Sequence, residues 1–184
     1  MEFHDFSKIQ IEKISLRIKP RVLFFMNRSG NFEISLDRIK AETHVFALFI
    51  GTDRESFDFS LTQLHRKQTS NSSATVLAIL TGHSLLHANG LVRIEENAQN
   101  SNASQTHRTI LLSEHARSMS KPSLEILAED VSARHASATG TPDPDTIFSM
   151  RSRGIPESSS KKLVAIGEVN EFFSKMRLLS NDQE

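Results

Sequence analysis

The sequence predicts a mainly β chain that closes in a helical segment. Short runs of alternating apolar residues follow one another from residue 9 to residue 128, with turn-forming clusters between them. After Gly140 that pattern stops at Thr141-Pro-Asp-Pro-Asp, where helix-starting chemistry replaces it. From Leu163 onward, apolar residues recur at spacings of three and four.

The strands can be justified in order. Ile9, Ile11, Ile14, Leu16 and Ile18 alternate imperfectly, and Val22–Met26 is a short apolar run. Phe32, Ile34 and Leu36 alternate with Glu33 and Ser35, which suits a sheet with one covered face. Val45–Ile50 and Ala74–Leu80 are apolar on both parities, so both faces are expected to be covered. Phe57, Phe59 and Leu61 alternate again, Leu91–Glu95 continues the series, and Thr109–Leu112 and Leu124–Ala128 end it. NRSG, GTDRES, RKQTSNSS, HANG and ENAQNSNAS read as the connecting turns. Many short strands fit a sandwich, a barrel or a parallel β-helix, and periodicity does not choose among them. No exact internal repeat is visible.

Residues 1–140 are therefore expected to form the β core and 141–184 a helical appendage. Asp143 or Asp145 can cap a helix over Thr146–Arg153, with Gly154 ending it in a left-handed conformation. Pro156 and Glu157 suit the first turn of a second helix. Its apolar stripe is Leu163, Ile166, Val169, Phe173 and Met176, widened by Val164, Phe172 and Leu179.

Composition excludes several functions. Lys+Arg and Asp+Glu are both 22, so net charge gives no long-range pull toward nucleic acid or anionic lipid. Without cysteine, disulfides, thiolate metal sites and a Cys nucleophile are excluded. No stretch approaches the roughly 20 apolar residues of a membrane helix, and the charged start lacks a signal-peptide core. The expected location is the cytoplasm.

Few residues suggest chemistry on their own. His83 and His87 are four apart, but Gly82 and the HANG turn oppose a helix there, so both read as polar surface residues. His107 and His115, flanking a strand-like run, read the same way. Glu95/Glu96 and Glu129/Asp130 are adjacent acids that a strand would point to opposite faces, which makes poor acid–base dyads. His135 lies among small residues just past the last apolar strand. One imidazole is not a metal site, so its plain reading is a solvated or hydrogen-bonded histidine.

A longer pattern surrounds it. Lys121-Pro122, Leu124-Glu125-Ile126, Asp130-Val131, His135, Gly140, Phe148 and Ser152-Arg153-Gly154-Ile155 keep the order and spacing of the SufB/SufD family, scaffold components of SUF iron–sulfur cluster assembly. Upstream, Gln99, Gln105, Arg108, Leu111, Leu112 and Ser113 fit the family's Gln-rich segment. The close resemblance runs from Asn97 to Leu163, and the chain is short for such a protein. It implies a right-handed parallel β-helix with a C-terminal helical segment. It further implies a non-enzymatic subunit that pairs with a SufB-like scaffold or with itself and docks a SufC-like ABC ATPase. Docking would use Phe148, Arg151, Arg153, Gly154, Ile155 and Glu157. His135 matches a proposed cluster or iron ligand at the subunit interface. The family's cysteine in this motif is Ala133 here, and Ala136-Ser137-Ala138 replaces Gly-Ala-Thr. Thiolate is the usual cluster ligand, so a cluster would be transient and shared with a partner, and the role SufD-like. Two other readings are a β-helix carbohydrate-active enzyme using surface acids and an iron-binding module built on His135 and other histidines.

Overall fold

The computed structural model describes residues 21–181, so the expected strand at Ile9–Ile18 lies outside the described residues. Among the described residues, nine strands alternate between two sheets. The odd strands are β1 (Arg21–Met26), β3 (Glu42–Gly51), β5 (Asn71–Leu80), β7 (Ser101–Leu111) and β9 (Val131–Gly140), in that order. The even strands β2 (Gly30–Leu36), β4 (Ser56–His65), β6 (Leu85–Ile94) and β8 (Arg117–Ile126) form the second sheet. Every strand pairs in parallel with the strand two places on, so the chain winds as a two-sheet solenoid, a β-helix.

The hidden repeat has a simple cause. Leu23 pairs with Val45, 22 residues on, Val45 with Ala74, 29 on, and Ala74 with Gln105, 31 on. Register is kept in space while the corners change length, so no fixed period survives in the sequence.

Register partners in a parallel ladder share a face, and the inward faces build the core. At the first turns they are aromatic: Phe25 lies 4.6 Å from Phe32 between ring centroids, and Phe59 meets Phe25, Phe32 and Phe49 at 5.4–5.9 Å. Such tilted rings add to the burial of large apolar surfaces. Further along, the inward residues become polar: Gln105, His107 and Thr109 are buried on β7.

Corners need backbone that turns sharply. Left-handed residues recur in two columns, Asn27, Asp53 and Gly82 at one corner and Lys40, Thr69 and Asn100 at the other. Backbone bonds between turns hold them, such as Thr69 N–H to the Gln99 carbonyl at 2.8 Å and Asn100 N–H to the Asp130 carbonyl at 2.6 Å. At Gly82, with φ +61, an added Cβ would stand 2.8 Å from the Asp53 carbonyl oxygen and 2.9 Å from its nitrogen. Gly82→Ala is therefore expected to destabilise by at least about 1–3 kcal/mol, read as a lowered urea midpoint. An unchanged midpoint would contradict this corner packing.

Three sequence readings are corrected. HANG is not a turn: His87–Gly90 lies inside β6, with Ala88 and Gly90 facing the interior. Small residues are needed there because the Gln105 side chain fills the space a Cβ on Gly90 would take. Ala133–Gly140, placed by the sequence past the last apolar strand, is most of a further strand, β9. His107 is not on the surface; it is only 2% exposed.

Two helices follow. In α1 (Pro144–Ser152), the Asp143 carboxylate accepts from Thr146 N at 3.0 Å and Thr146 Oγ1 at 2.7 Å, and Pro144 occupies the first turn. Gly154, at φ +87, lets the chain leave the helix. The second helix, α2 (Glu157–Asn181), lies along the outer face of the odd-strand sheet. Ala165, Phe172 and Met176 are buried there with Phe46, Leu48, Leu77, Ile79 and Ile110. Phe172 meets Phe46 edge-on at 5.3 Å, and Phe173 sits 5.8 Å from Phe24. Arg108 on β7 pairs with Glu168 on the helix. The expected stripe is rotated in its first half, where Leu163 and Ile166 remain exposed and Ala165 makes the contact. Among the described residues, no helix is long and apolar enough to cross a membrane.

Candidate functional site

The solenoid's last turn is its chemically distinct end. Among the described residues nothing stacks beyond β8 and β9, so most of their residues are exposed or half-buried. Inward positions of β9 follow from those beneath: Ala133 pairs with Ala103, His135 with Gln105, Ser137 with His107 and Thr139 with Thr109. On β8 the matching positions are Ser118, Ser120, Pro122 and Leu124, above Leu86, Ala88, Gly90 and Val92. Ser118, Ser120, Ser137 and Thr139 help line a cleft of about 750 Å³.

One end of this turn is apolar. Ala133 packs with Leu124 and Val131 against Val92, Ile94, Ala98, Ala103 and Ala128. A methyl group suits that cluster and offers no ligand. Two residues on, His135 stands exposed on the inward face.

Beneath it is a polar layer. His107 Nδ1 lies 2.7 Å from Ser120 Oγ, and Thr109 Oγ1 lies 3.0 Å from Ser118 Oγ. His107 Nε2 and both amide atoms of Gln105 are buried without a hydrogen-bond partner. Burial, and then the nearby His135 ring, pushes the His107 pKa down from 6.5 to about 4, so the ring is neutral at pH 7. Sequence reasoning missed His107. Its even offset from Gln105 and Thr109 was the available signal, but it carries meaning only once those residues are known to face inward.

A second buried histidine provides a contrast. His65 Nδ1 lies 2.7 Å from Ser70 Oγ and Nε2 lies 2.7 Å from Ser72 Oγ, so both ring nitrogens are satisfied. Burial lowers its pKa to about 4 as well.

The remaining site candidates gather on α1 and the following turn. Phe148 is 72% exposed, while its neighbour Ile147 is buried. Arg151, Arg153 and Glu157 are exposed, Ile155 is half-buried, and Arg151 reaches Glu157 at 3.4 Å. These residues lie on α1, the turn after it and the start of α2, whereas His135 lies on β9 at the solenoid end. Elsewhere, His83 and His115 stack at 4.6 Å on the corners, and His87 lies 3.1 Å from Asp58. Glu95 is engaged by Arg93 at 2.9 Å, while Glu129 and Asp130 are exposed turn residues. Among the described residues, no three His, Asp or Glu side chains converge as metal ligands.

Comparison with known proteins bears on this arrangement. A family model described as SUF system FeS cluster assembly, SufBD core domain, matches residues 26–168. The chain is 31% identical over 118 residues to the iron–sulfur cluster assembly protein SufD of Bacillus subtilis, which covers 64% of this chain and 27% of that protein. It is 41% identical over 88 residues to an iron–sulfur cluster assembly SufBD family protein of Mycobacterium tuberculosis, covering 47% of this chain and 22% of the relative. Against Escherichia coli SufD the identity is 28% over 113 residues, 61% of this chain and 27% of that protein. The matched region thus spans about a quarter of the length of these relatives.

Proposed function

Because the chain belongs to the SufBD core-domain family of the SUF iron–sulfur cluster assembly system, we propose that it serves as a non-enzymatic, SufD-like assembly subunit. Its last solenoid turn pairs with a SufB-like scaffold, and its α1 patch docks a SufC-like ATPase. The observation that carries this reading is the uncovered end of the solenoid. Among the described residues, strands β8 and β9 each have a neighbour on one side only, and such edges recruit further backbone. The polar inward residues of that end would otherwise face bulk water.

Exposed Phe148 supports the second contact. An aromatic ring flanked by Arg151 and Arg153 has the composition of an interface anchor with a charged rim. ATP-driven movement of the partner would reach the last turn through α2, since the Arg108–Glu168 pair ties that helix to β7. The cluster is cargo here, held between subunits: His135 offers one ligand and the partner the thiolates that this chain lacks. Among the described residues nothing favours glycan chemistry, because Glu95 is engaged by Arg93 while Glu96, Glu129 and Asp130 lie on exposed turns.

The two contacts are separable by mutation. In co-purification with a SufB-like scaffold and a SufC-like ATPase, Phe148→Asp is expected to lose the ATPase and keep the scaffold. Ser137→Arg, which puts a bulky cation on the last turn, is expected to do the reverse. Both partners retained by both variants would overturn the assignment. Because each side chain is exposed, both variants should melt within about 0.5 kcal/mol of the parent.

A further inference from the structure

We propose that His107 is a second metal donor behind His135, so that the last turn offers a two-imidazole seat for a divalent ion such as ferrous iron, with the Gln105 amide beside it. For His135 this rests on the reading above; for His107 it rests on geometry alone.

A buried polar atom without a partner costs about 1–3 kcal/mol, so folded chains rarely keep one without a use. His65 shows how this molecule satisfies a histidine that only packs: a serine hydroxyl stands at each ring nitrogen. His107 has the serine at Nδ1 and nothing at Nε2. With Nδ1–H donating to Ser120 Oγ, Nε2 presents its lone pair. A histidine anchored through one nitrogen and open at the other is the usual arrangement of a metal-binding imidazole.

Position points the same way. His135 is directly above Gln105 in the register and diagonal to His107 on the same inward face. Neighbouring strands are about 5 Å apart, within which two imidazoles can reach one ion at roughly 2.1 Å each. His135 is exposed and free to reorient. Imidazole donors suit iron, zinc, copper and nickel, whereas Mg²⁺ and Ca²⁺ prefer oxygen. With two imidazoles the shell is open, so water or a partner covering the turn must supply the remaining ligands.

The test uses Co²⁺ as an oxygen-stable probe on the full chain, in a His83→Asn background that removes the stacked surface pair. Proton NMR of the Co²⁺-loaded protein is expected to show two hyperfine-shifted, exchangeable imidazole N–H signals. Titration followed by the Co²⁺ d–d absorption should show His107→Asn and His135→Ala each weakening binding at least about tenfold, and Ser120→Ala weakening it in the same direction. One imidazole signal, with binding lost only in His135→Ala, would overturn the role of His107 and leave His135 as a ligand. Binding indifferent to both histidines would overturn the pair and the ligand reading of His135 together. If His107→Asn does not fold, the wild-type NMR count still decides.

Discussion

Phe172→Ala is expected to cost about 3–5 kcal/mol and to release α2 from the solenoid. Phe172 is 3% exposed and touches three rings: Phe46 edge-on at 5.3 Å, Phe173 at 5.5 Å and Phe24 at 6.3 Å. Phe46, Leu48, Leu77 and Ile79 belong to hydrogen-bonded strands whose positions are set by the register, so the sheet backbone does not follow the lost ring. Ile50, Ile79 and Ile110 on the outer sheet face would then meet water. The urea midpoint should fall accordingly, and the ATPase contact should weaken with it, because α1 is placed by its connection to α2. An unchanged midpoint would mean that α2 does not rest on the sheet in solution.

Acidification should destabilise the solenoid well above the range of ordinary carboxylate titration. His65 and His107 both titrate near 6.5 when unfolded and near 4 when folded. The unfolded chain therefore takes up protons first as pH falls. Stability is fully present above about pH 6.5, is lost progressively as pH falls toward 4, and then levels for these two groups. The difference corresponds to roughly 3 kcal/mol per histidine. Asp143, Glu157 and Glu171 are held below their usual range, by hydrogen bonds from Thr146, Lys161 and Lys175 respectively, and add to the loss only at lower pH. Urea midpoints from pH 8 to 4 should show the decline, and His65→Gln should remove about half of it. A flat profile between pH 7 and 5 would show that the two rings are not buried neutral.

Those histidines also mark where the sequence stops being legible. Val45–Ile50 reads correctly as covered on both faces: Val45, Ala47 and Phe49 point into the solenoid, and Phe46 and Leu48 meet α2. The boundaries of α1 were readable to within about two residues from the Asp143 or Asp145 cap and Gly154, because caps act locally. Strand β7 was readable only at its Thr109–Leu111 end and β9 not at all, because their inward residues are Gln105, His107 and Thr109, and then His135, Ser137 and Thr139. Alternation carries no signal when both parities are polar. His87–Gly90 failed for a related reason, since the residue that fills its space, Gln105, is fifteen positions away in sequence. The family motif around His135 supplied what periodicity could not, although the neighbour that matters most to it, His107, emerged only from the register.

The most direct test of the central claim is isolation of the tagged full chain from its native cells, with the bound proteins identified by mass spectrometry. Participation in SUF assembly predicts a SufC-like ATPase and a SufB-like scaffold in stoichiometric amounts, with the ATPase alone absent from the Phe148→Asp sample. Recovery of the folded chain without either protein would contradict the account.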